Sequence, residues 1–373
     1  MADGLNMSRR IRRTPYTDCV EESGVRGFSV VNHMLLPKAF EASVEDDYRH
    51  LREHVQIWDV SCQRQVQITG PDAELLVQWM TPRDISNAGV GDCLYIPLID
   101  KQAGLINDPV LLKLASDKFW LSIADSDVLL YAQGLAYGAD LNVQVTEPDV
   151  SPLAVQGPKA EALLHELFGA HVADIGFFKF AWIDFHGTKQ LIARSGYSKQ
   201  GGFEIYLNGG QYGTALWNSI RSAGRAYNIR PGCPNLIERI EGGLLSYGNE
   251  MTRDNNPLEI GLEQYCALDN PVACIGMDAL LDLHRRGVER QIRGVLFGGP
   301  PGPVCARPWP VTAGGTRVGQ ITSAAFSPRL RQNIGLAIIE KMYWQPGQDV
   351  TVECADGTSR SGVISSLPFD DGG

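Results

Sequence analysis

The sequence predicts an α+β protein with a small, strand-rich C-terminal domain. The chain has 373 residues, and single hydrophobic cores stop growing at roughly 250–300 residues, so two or three packed units are expected. Up to residue 246, short apolar runs of strand character alternate with segments of helical periodicity. Beyond residue 289, glycine-rich strand-like runs follow one another, which indicates a terminal β-barrel or sandwich.

Turn residues bound the predicted elements of the first half of the chain. Strands are predicted at residues 66–68, 94–99, 110–114 and 119–123. Helices are predicted at residues 71–80 and 126–137, the second of these capped by Ser126 or Asp125. An edge strand and a turn at residues 155–158 then lead into an amphipathic helix at residues 159–168.

A second set of elements carries the candidate ligand face. Residues 181–193 predict a hairpin that turns at His186 and Gly187. Residues 203–207 alternate with period two, which places Glu204 and Tyr206 on one face of a strand and three apolar side chains on the other. The face of Glu204 and Tyr206 is therefore the candidate ligand face.

The C-terminal part changes character after a charged, helix-like stretch at residues 278–289. Helices are predicted before it, at residues 213–224 and 234–246. Strands are predicted after it, at residues 290–298, 319–322, 333–339 and 349–353. We therefore predict a catalytic region at residues 1–277 and a β-barrel domain with its linker helix at residues 278–373.

Composition and charge exclude several classes of protein. The formal net charge is −10, whereas binding nucleic acid through its phosphates requires a basic face. The basic cluster of Arg9, Arg10, Arg12 and Arg13 is interpreted as a solvated or domain-clamping tail, because no apolar segment follows it to complete a targeting signal. No stretch is apolar for the roughly 18–20 residues of a membrane span. The eight cysteines are scattered without a C-x-x-C pair, which is typical of a reducing compartment and predicts a cytoplasmic protein.

The common catalytic motifs do not occur in the sequence. There is no G-x-S-x-G elbow, P-loop, H-E-x-x-H or kinase motif. His50 and His54 lie one turn apart on a predicted helix, but a metal pair needs further ligands and Glu53 points to another face. We therefore expect no metal site.

Two polar patches are candidates for chemistry. Residues 194–204 run through a glycine loop to Glu204, and such a loop can approach a ligand closely. A carboxylate there can accept two parallel N–H donors, as an aminopyrimidine ring offers. Taken alone, the pattern more often marks an ordinary hairpin turn. In the second patch, Asn107 and Asp108 interrupt two apolar runs, and their spacing is equally compatible with structural hydrogen bonding and with function.

Five motifs in order make the chain resemble the glycine-cleavage T-protein superfamily. They are residues 155–158, 194–204, 247–251 and 257–262, and the segments from 321 to 337. The resemblance implies three intertwined α/β folate-binding subdomains around a central hole, with a small C-terminal β-barrel. It also implies tetrahydrofolate as the one-carbon acceptor.

The resemblance implies roles for individual residues. Glu204 matches a glutamate that binds the pterin, and Tyr95 matches a tyrosine that lines the folate site. Asp108 matches the second acid of a pair near the reacting nitrogen. Asn107 replaces the first acid, which argues against the amine chemistry of glycine cleavage. Two further residues fall where members of the superfamily contact the cofactor, namely Arg239 and Tyr247.

Within the superfamily, the chain is most similar to the demethylases of dimethylsulfoniopropionate. Residues 12–16, 31–37, 53–60, 107–110, 147–153 and 195–202 carry this likeness. It implies that a methyl group moves from the sulfonium to N5 of tetrahydrofolate, giving methylmercaptopropionate and 5-methyltetrahydrofolate. Asp108 would orient the folate, and the candidates for contact with the sulfonium substrate are Tyr197, Lys199 and Tyr206. Tyr197 stands where this branch carries tryptophan, the stronger cation–π partner.

Two alternatives remain open. One is another folate-dependent aminomethyltransferase or N-demethylase of the same superfamily. The other is a non-catalytic folate-binding relative, whose K-G-C-Y-x-G-Q-E motif this chain lacks. No nucleic-acid or membrane partner is expected, and a homodimer is the working expectation for the oligomeric state.

Overall fold

The computed structural model describes residues 8–369, which contain eight α-helices and twenty-one β-strands. The helices are α1 Thr17–Glu22, α2 Val44–Glu53, α3 Ala73–Met80, α4 Val128–Gly138, α5 Ala160–Phe168, α6 Gly213–Ala223, α7 Leu236–Glu241 and α8 Met277–Arg286. The strands up to residue 156 are β1 Gly27–Val31, β2 Met34–Ala39, β3 Gln56–Asp59, β4 Gln65–Thr69, β5 Cys93–Tyr95, β6 Leu98–Ile99, β7 Leu105–Asn107, β8 Val110–Ala115, β9 Lys118–Ser122, β10 Gln144–Thr146 and β11 Val150–Gln156. The remaining strands are β12 Phe180–Phe185, β13 Thr188–Ala193, β14 Gly202–Asn208, β15 Arg230–Gly232, β16 Arg290–Phe297, β17 Trp309–Ala313, β18 Thr316–Ser327, β19 Gln332–Glu340, β20 Asp349–Glu353 and β21 Ser359–Ser365.

The chain forms two compact units that are not continuous in sequence. The first unit comprises the chain up to Val77, Ile85–Ile96 and Asp108–Asn235. The second unit comprises Gln78–Asp84, Pro97–Asn107 and the chain from Leu236 onward. The predicted boundary at residues 277 and 278 lies inside the second unit, so the division into a catalytic region and a barrel domain remains a proposal.

Two sheets form the framework of the first unit. One has five strands in the order β10-β4-β9-β8-β5, and the other has six in the order β12-β13-β14-β11-β3-β15. Their neighbours run antiparallel except for β15, which pairs parallel with β3. The hairpin of β12 and β13 turns after Phe185, as the sequence predicts.

Each face of the six-stranded sheet packs against a separate apolar cluster. On one face, side chains of α5 and α6 such as Leu163 and Trp217 pack with Val155 and Ile205. On the other face, Tyr206 joins a cluster with side chains of the five-stranded sheet, among them Trp120. Both faces of this sheet are therefore buried. Successive side chains of β14 point to opposite faces, so all of them from Phe203 to Leu207 are buried.

The second unit contains a closed barrel in the order β16-β19-β18-β17-β20-β21. Closure removes the unpaired edges that an open sheet would expose. Strands β16, β19 and β20 match the predicted segments closely, whereas β18 is much longer than predicted. Strands β17 and β21 were not predicted, because Pro310 interrupts the first and small polar residues dominate the second. The predicted α+β fold with a C-terminal β-barrel is thus confirmed.

The structure corrects the prediction of an edge strand at residues 155–158. Strand β11 instead lies inside the sheet, between β14 and β3. This strand contains Pro152, which lacks an N–H donor, and proline is usually confined to edge strands. Because β3 pairs only with Leu153–Gln156, the proline lies beyond the end of that ladder and no hydrogen bond is lost.

Three other local predictions were inaccurate. The predicted strand at residues 94–99 is divided into β5 and β6 around Pro97. The helix α4 begins at Val128 rather than beside Ser126 or Asp125, and the Asp125 side chain instead accepts a hydrogen bond from the Asn32 N–H over 2.7 Å. The helix predicted at residues 234–246 spans only Leu236–Glu241, because Gly242 and Gly243 follow it directly.

Candidate functional site

The strand β14 presents Glu204 and Tyr206 to the five-stranded sheet. Phe203, Ile205 and Leu207 belong to the apolar cluster on the other face, so the predicted alternation is confirmed. Ala154 of the neighbouring strand β11 lies directly opposite Glu204. Ala154 packs in a small apolar cluster with Leu51, Trp58 and Val60.

Glu204 is a buried carboxylate held by a hydroxyl group. The residue is 4% exposed, and Ser195 Oγ donates a hydrogen bond to Glu204 Oε2 over 2.5 Å. Burial raises the pKa of Glu204, and the hydrogen bond from Ser195 offsets part of that rise. Because a carboxylate has about four lone-pair positions, the bond to Ser195 leaves capacity for further N–H donors.

Tyr95 and Asp108 form a direct contact at the end of the five-stranded sheet. Tyr95 is the last residue of β5 and pairs with Val110 of β8. Asp108 precedes Val110 by two residues in the chain. Tyr95 Oη donates a hydrogen bond to Asp108 Oδ2 over 2.8 Å. Cys93 is on the same face of β5 as Tyr95, and its pKa is raised first by burial and then by the charge of Glu204. Tyr95 and Glu204 thus lie on two sheets that share one buried cluster, and Asp108 lies in the short connection before β8, bound to Tyr95.

Tyr206 lies beneath the candidate ligand face. Its side chain is completely buried, and its ring centroid is 6.2 Å from that of Trp120. Burial and the nearby charge of Glu204 raise the pKa of Tyr206. Because its ring has no exposed face, the structure does not support the predicted contact of Tyr206 with a substrate. Tyr206 instead packs beneath the surface next to Glu204, in the buried cluster with Trp120.

The glycine loop carries the other two predicted substrate residues. Tyr197 is half-buried and Lys199 is exposed. Arg194, at the start of the loop, forms an ion pair with Glu161 at 2.6 Å and lies over the ring of Phe203. Lys199 is therefore the more accessible of the two cations in this segment.

Three predicted site residues lie in the second unit. Asn107 is fully buried at the end of β7, and Tyr247 Oη donates a hydrogen bond to the Leu105 carbonyl over 2.9 Å. Arg239 binds Glu250 Oε2 at 3.1 Å through Nη1 and Ser323 Oγ at 2.6 Å through Nη2. The Ser323 hydroxyl also bonds Glu250. The sequence analysis missed Glu250 and Ser323 as partners, although both lie within the motifs that carry the resemblance.

The two histidines that the sequence singled out bind other groups. His50 Nε2 lies 2.8 Å from the Asn228 carbonyl oxygen, and His54 Nδ1 lies 2.8 Å from Lys159 Nζ. Burial lowers the pKa of His50 to about 4. Among residues 8–369, no group of three or more His, Cys, Asp or Glu side chains could hold a metal ion. The helices of the same residues include none that is long and apolar enough to cross a membrane.

Models of two protein families match most of the chain. The GCVT N-terminal domain matches residues 16–270. The glycine cleavage T-protein C-terminal barrel domain matches residues 290–371, which include all six strands of the barrel.

Individual proteins are similar over nearly the full length. Dimethylsulfoniopropionate demethylase DmdA of Ruegeria pomeroyi is 48% identical over 350 residues, which cover 94% of this chain and 95% of that protein. An aminomethyltransferase of Caldanaerobacter subterraneus subsp. tengcongensis is 30% identical, with 85% of each chain covered. The crystal structure of the glycine cleavage system aminomethyltransferase T from Bartonella henselae shares the fold, with a TM-score of 0.84 at 23% identity over 97% of this chain and 98% of that chain.

Proposed function

Because this chain belongs to the glycine-cleavage T-protein family, we propose that it is a tetrahydrofolate-dependent demethylase of dimethylsulfoniopropionate. The observation that carries the substrate is the 48% identity to the Ruegeria pomeroyi demethylase over almost the whole of both chains. The aminomethyltransferases are more distant, at 29–31% identity.

The buried carboxylate of Glu204 fits the pterin ring of a folate. An aminopyrimidine presents parallel N–H donors, and a carboxylate accepts such a pair in a charge-assisted bidentate contact. Ser195 holds one carboxylate oxygen of Glu204 in place. Tyr95 belongs to the sheet that faces Glu204 and is a wall for the same ligand. The roles of Arg239, Tyr247 and Asn107 in folate binding stay predictions that rest on the family resemblance.

Asp108 is the proposed catalytic residue. Tetrahydrofolate supplies N5 as the nucleophile for the methyl group. The carbon–sulfur bond breaks with its electron pair going to sulfur, the nitrogen–carbon bond forms, and the proton of N5 is released. Asp108, held by Tyr95 Oη at 2.8 Å, stabilises the positive charge that develops at the nitrogen.

The protein need supply little acid or base chemistry. A sulfonium is already a good leaving group, so the chief task is to align sulfur, carbon and nitrogen and to exclude water. Positioning of this kind supplies roughly 7–11 kcal/mol of a barrier. We assign Tyr197 to the sulfonium, whose positive charge rests on an aromatic face, and Lys199 to the carboxylate of the substrate.

The test is methyl transfer to tetrahydrofolate from three donors at equal concentrations: dimethylsulfoniopropionate, glycine betaine and dimethylglycine. The sulfonium should dominate, and Asp108→Asn should lower kcat. Tyr197→Ala should raise KM for the sulfonium, whereas Tyr197→Trp should retain or improve turnover. A preference for dimethylglycine would instead assign the chain to the amine-processing members of the family.

We also propose that the protein works in the cytoplasm. The eight cysteines are all free thiols in the structure, as expected in a reducing compartment. The homodimer stays a prediction, to be measured by sedimentation of the purified protein.

A further inference from the structure

Gln156 is a buried amide at the end of β11, next to the glycine loop. It is 1% exposed and lies directly opposite Gly202 of β14. Its Nε2 donates to the carbonyl oxygen of Ser195 over 3.1 Å and to that of Phe203 over 3.3 Å. Its Oε1 accepts a hydrogen bond from Ser198 Oγ over 2.9 Å.

These three bonds join the start, the middle and the end of one loop. Ser195 lies where β13 has ended, and Phe203 lies in β14. The loop backbone is also fixed to β11 by the bond from the Gly157 N–H to the Gly201 carbonyl over 2.9 Å. The amide of Gln156 therefore determines the path of the loop between the two strands.

The fit around the amide is tight. A Cβ atom at Gly202 would lie 2.7 Å from Gln156 Nε2, and one at Gly196 would overlap the whole amide group. Two loop glycines thus leave room for this one side chain. The position also requires an amide rather than a carboxylate. The two carbonyl oxygens accept hydrogen bonds from an N–H group, whereas a carboxylate of the same size would repel them.

We infer that Gln156 is a positioning residue for the folate and substrate sites, an inference that rests on the proposed function. It acts through the loop, because Ser195 orients Glu204 and Tyr197 lies two residues further along. By holding both ends of the loop, Gln156 fixes the carboxylate for the pterin and the tyrosine ring for the methyl donor.

Gln190 provides a matched control in the same sheet. It is completely buried, and it also makes three hydrogen bonds: to Thr188 Oγ1, to the Asn208 carbonyl and from the Asn208 N–H. These bonds lie at the other end of β13 and β14, away from the loop. The substitutions Gln156→Met and Gln190→Met therefore remove similar numbers of hydrogen bonds from sites of similar burial.

The experiment compares the two full-length variants with the wild type in thermal unfolding, in tetrahydrofolate titration and in kcat and KM for dimethylsulfoniopropionate. Both variants should lower Tm to a similar extent. Gln156→Met should weaken tetrahydrofolate binding at least about tenfold and should lower kcat even at saturating folate. Gln190→Met should change the tetrahydrofolate affinity and kcat by less than about twofold each. Gln156→Glu should behave like Gln156→Met.

Equal losses of folate affinity in Gln156→Met and Gln190→Met, or unchanged affinity in a folded Gln156→Met, would overturn the inference. If Gln156→Met does not fold, Ser198→Ala removes a single one of the three bonds and should lower affinity in the same direction by about twofold or more; an unchanged titration there also overturns it. A wild type that binds tetrahydrofolate without demethylating the sulfonium would refute the proposed function alone, because the binding comparison would still test Gln156.

Discussion

Glu204 shows how much a single buried carboxylate depends on its surroundings. Its oxygen is held by Ser195 at 2.5 Å, and a small alanine lies opposite it on the next strand. Burial favours the neutral acid and so raises its pKa. The N–H donors of a bound pterin would favour the charged form again, so folate binding and ionisation of Glu204 are coupled.

We predict that Glu204→Gln weakens tetrahydrofolate binding while the fold persists. The amide keeps the size of the side chain but replaces one acceptor with a donor that faces the donors of the pterin. A strained or unpaired buried donor costs about 1–3 kcal/mol, which is about 5- to 150-fold in affinity. Isothermal titration measures the effect, and circular dichroism checks the fold. An unchanged titration curve would remove Glu204 from the folate site.

Asp59 is a second buried carboxylate, and we predict that it destabilises the protein at neutral pH. Burial raises its pKa to about 6, despite hydrogen bonds from Thr14 and Ser61. The folded pKa is above the ordinary value of 3.8, so the penalty is fully present above pH 6 and disappears as the pH falls toward 3.8. Asp59→Asn should therefore stabilise the protein by up to about 3 kcal/mol at pH 8.

The measurement for Asp59 is Tm of the wild type and of Asp59→Asn between pH 8 and pH 5. The difference between the two proteins should shrink as the pH falls. A constant difference across this range would mean that Asp59 ionises normally in the folded protein.

The backbone of the segment between β13 and β14 is constrained by its close approach to strand β11. Gly202 has a φ of +141°, and a Cβ there would overlap the carbonyl oxygen of Val155. Gly201 has a φ of +77°, and a Cβ added at this position would have no other atom within 4 Å. The two neighbours therefore differ in steric space although both have positive φ.

We predict that Gly202→Ala lowers the free energy of unfolding by at least about 1 kcal/mol more than Gly201→Ala does. Both substitutions carry backbone strain of about 1–3 kcal/mol, but only the first forces β11 and β14 apart. Chemical denaturation of the two variants measures the difference. Equal decreases in the free energy of unfolding for the two variants would show that the sheet accommodates the added methyl group of Gly202→Ala without further destabilisation.

In the second unit, a buried ion pair joins segments that are distant in the sequence. Arg239 of α7 binds Glu250 at 3.1 Å, and both bind Ser323 of the barrel strand β18. The side chains of Arg239 and Glu250 are 8% and 0% exposed. Breaking such a pair leaves one charge buried without compensation, which is far more costly than losing a surface pair.

We predict that Glu250→Ala destabilises the protein by about 3–5 kcal/mol. The control is Asp282→Ala, which breaks the exposed pair of Asp282 with Arg286 on α8 at 2.7 Å. An exposed pair contributes about 0.2–1 kcal/mol. Urea unfolding of both variants gives the comparison, and similar values for the two would mean that water reaches Arg239 once Glu250 is removed.

Local patterns in the sequence were sufficient to predict several features of this protein. Alternation along residues 203–207 is enough to place Glu204 and Tyr206 on one face, because the side-chain period of a strand is two. Turn residues located the hairpin at His186 and Gly187. The motifs along the chain also identified the family, and with it the barrel.

Which of these residues contact each other depends on how the strands pair and pack, and local patterns do not reveal it. Tyr95 and Asp108 are 13 residues apart and contact each other because β5 pairs with β8, while Arg239 and Ser323 are 84 residues apart. The sequence patterns also did not reveal the complete burial of Tyr206 or the hydrogen bonds between Gln156 and the glycine loop. The physical reason is that a local pattern fixes the face on which a side chain lies, whereas the sheet or loop packed against that face decides whether it is exposed, buried or hydrogen-bonded.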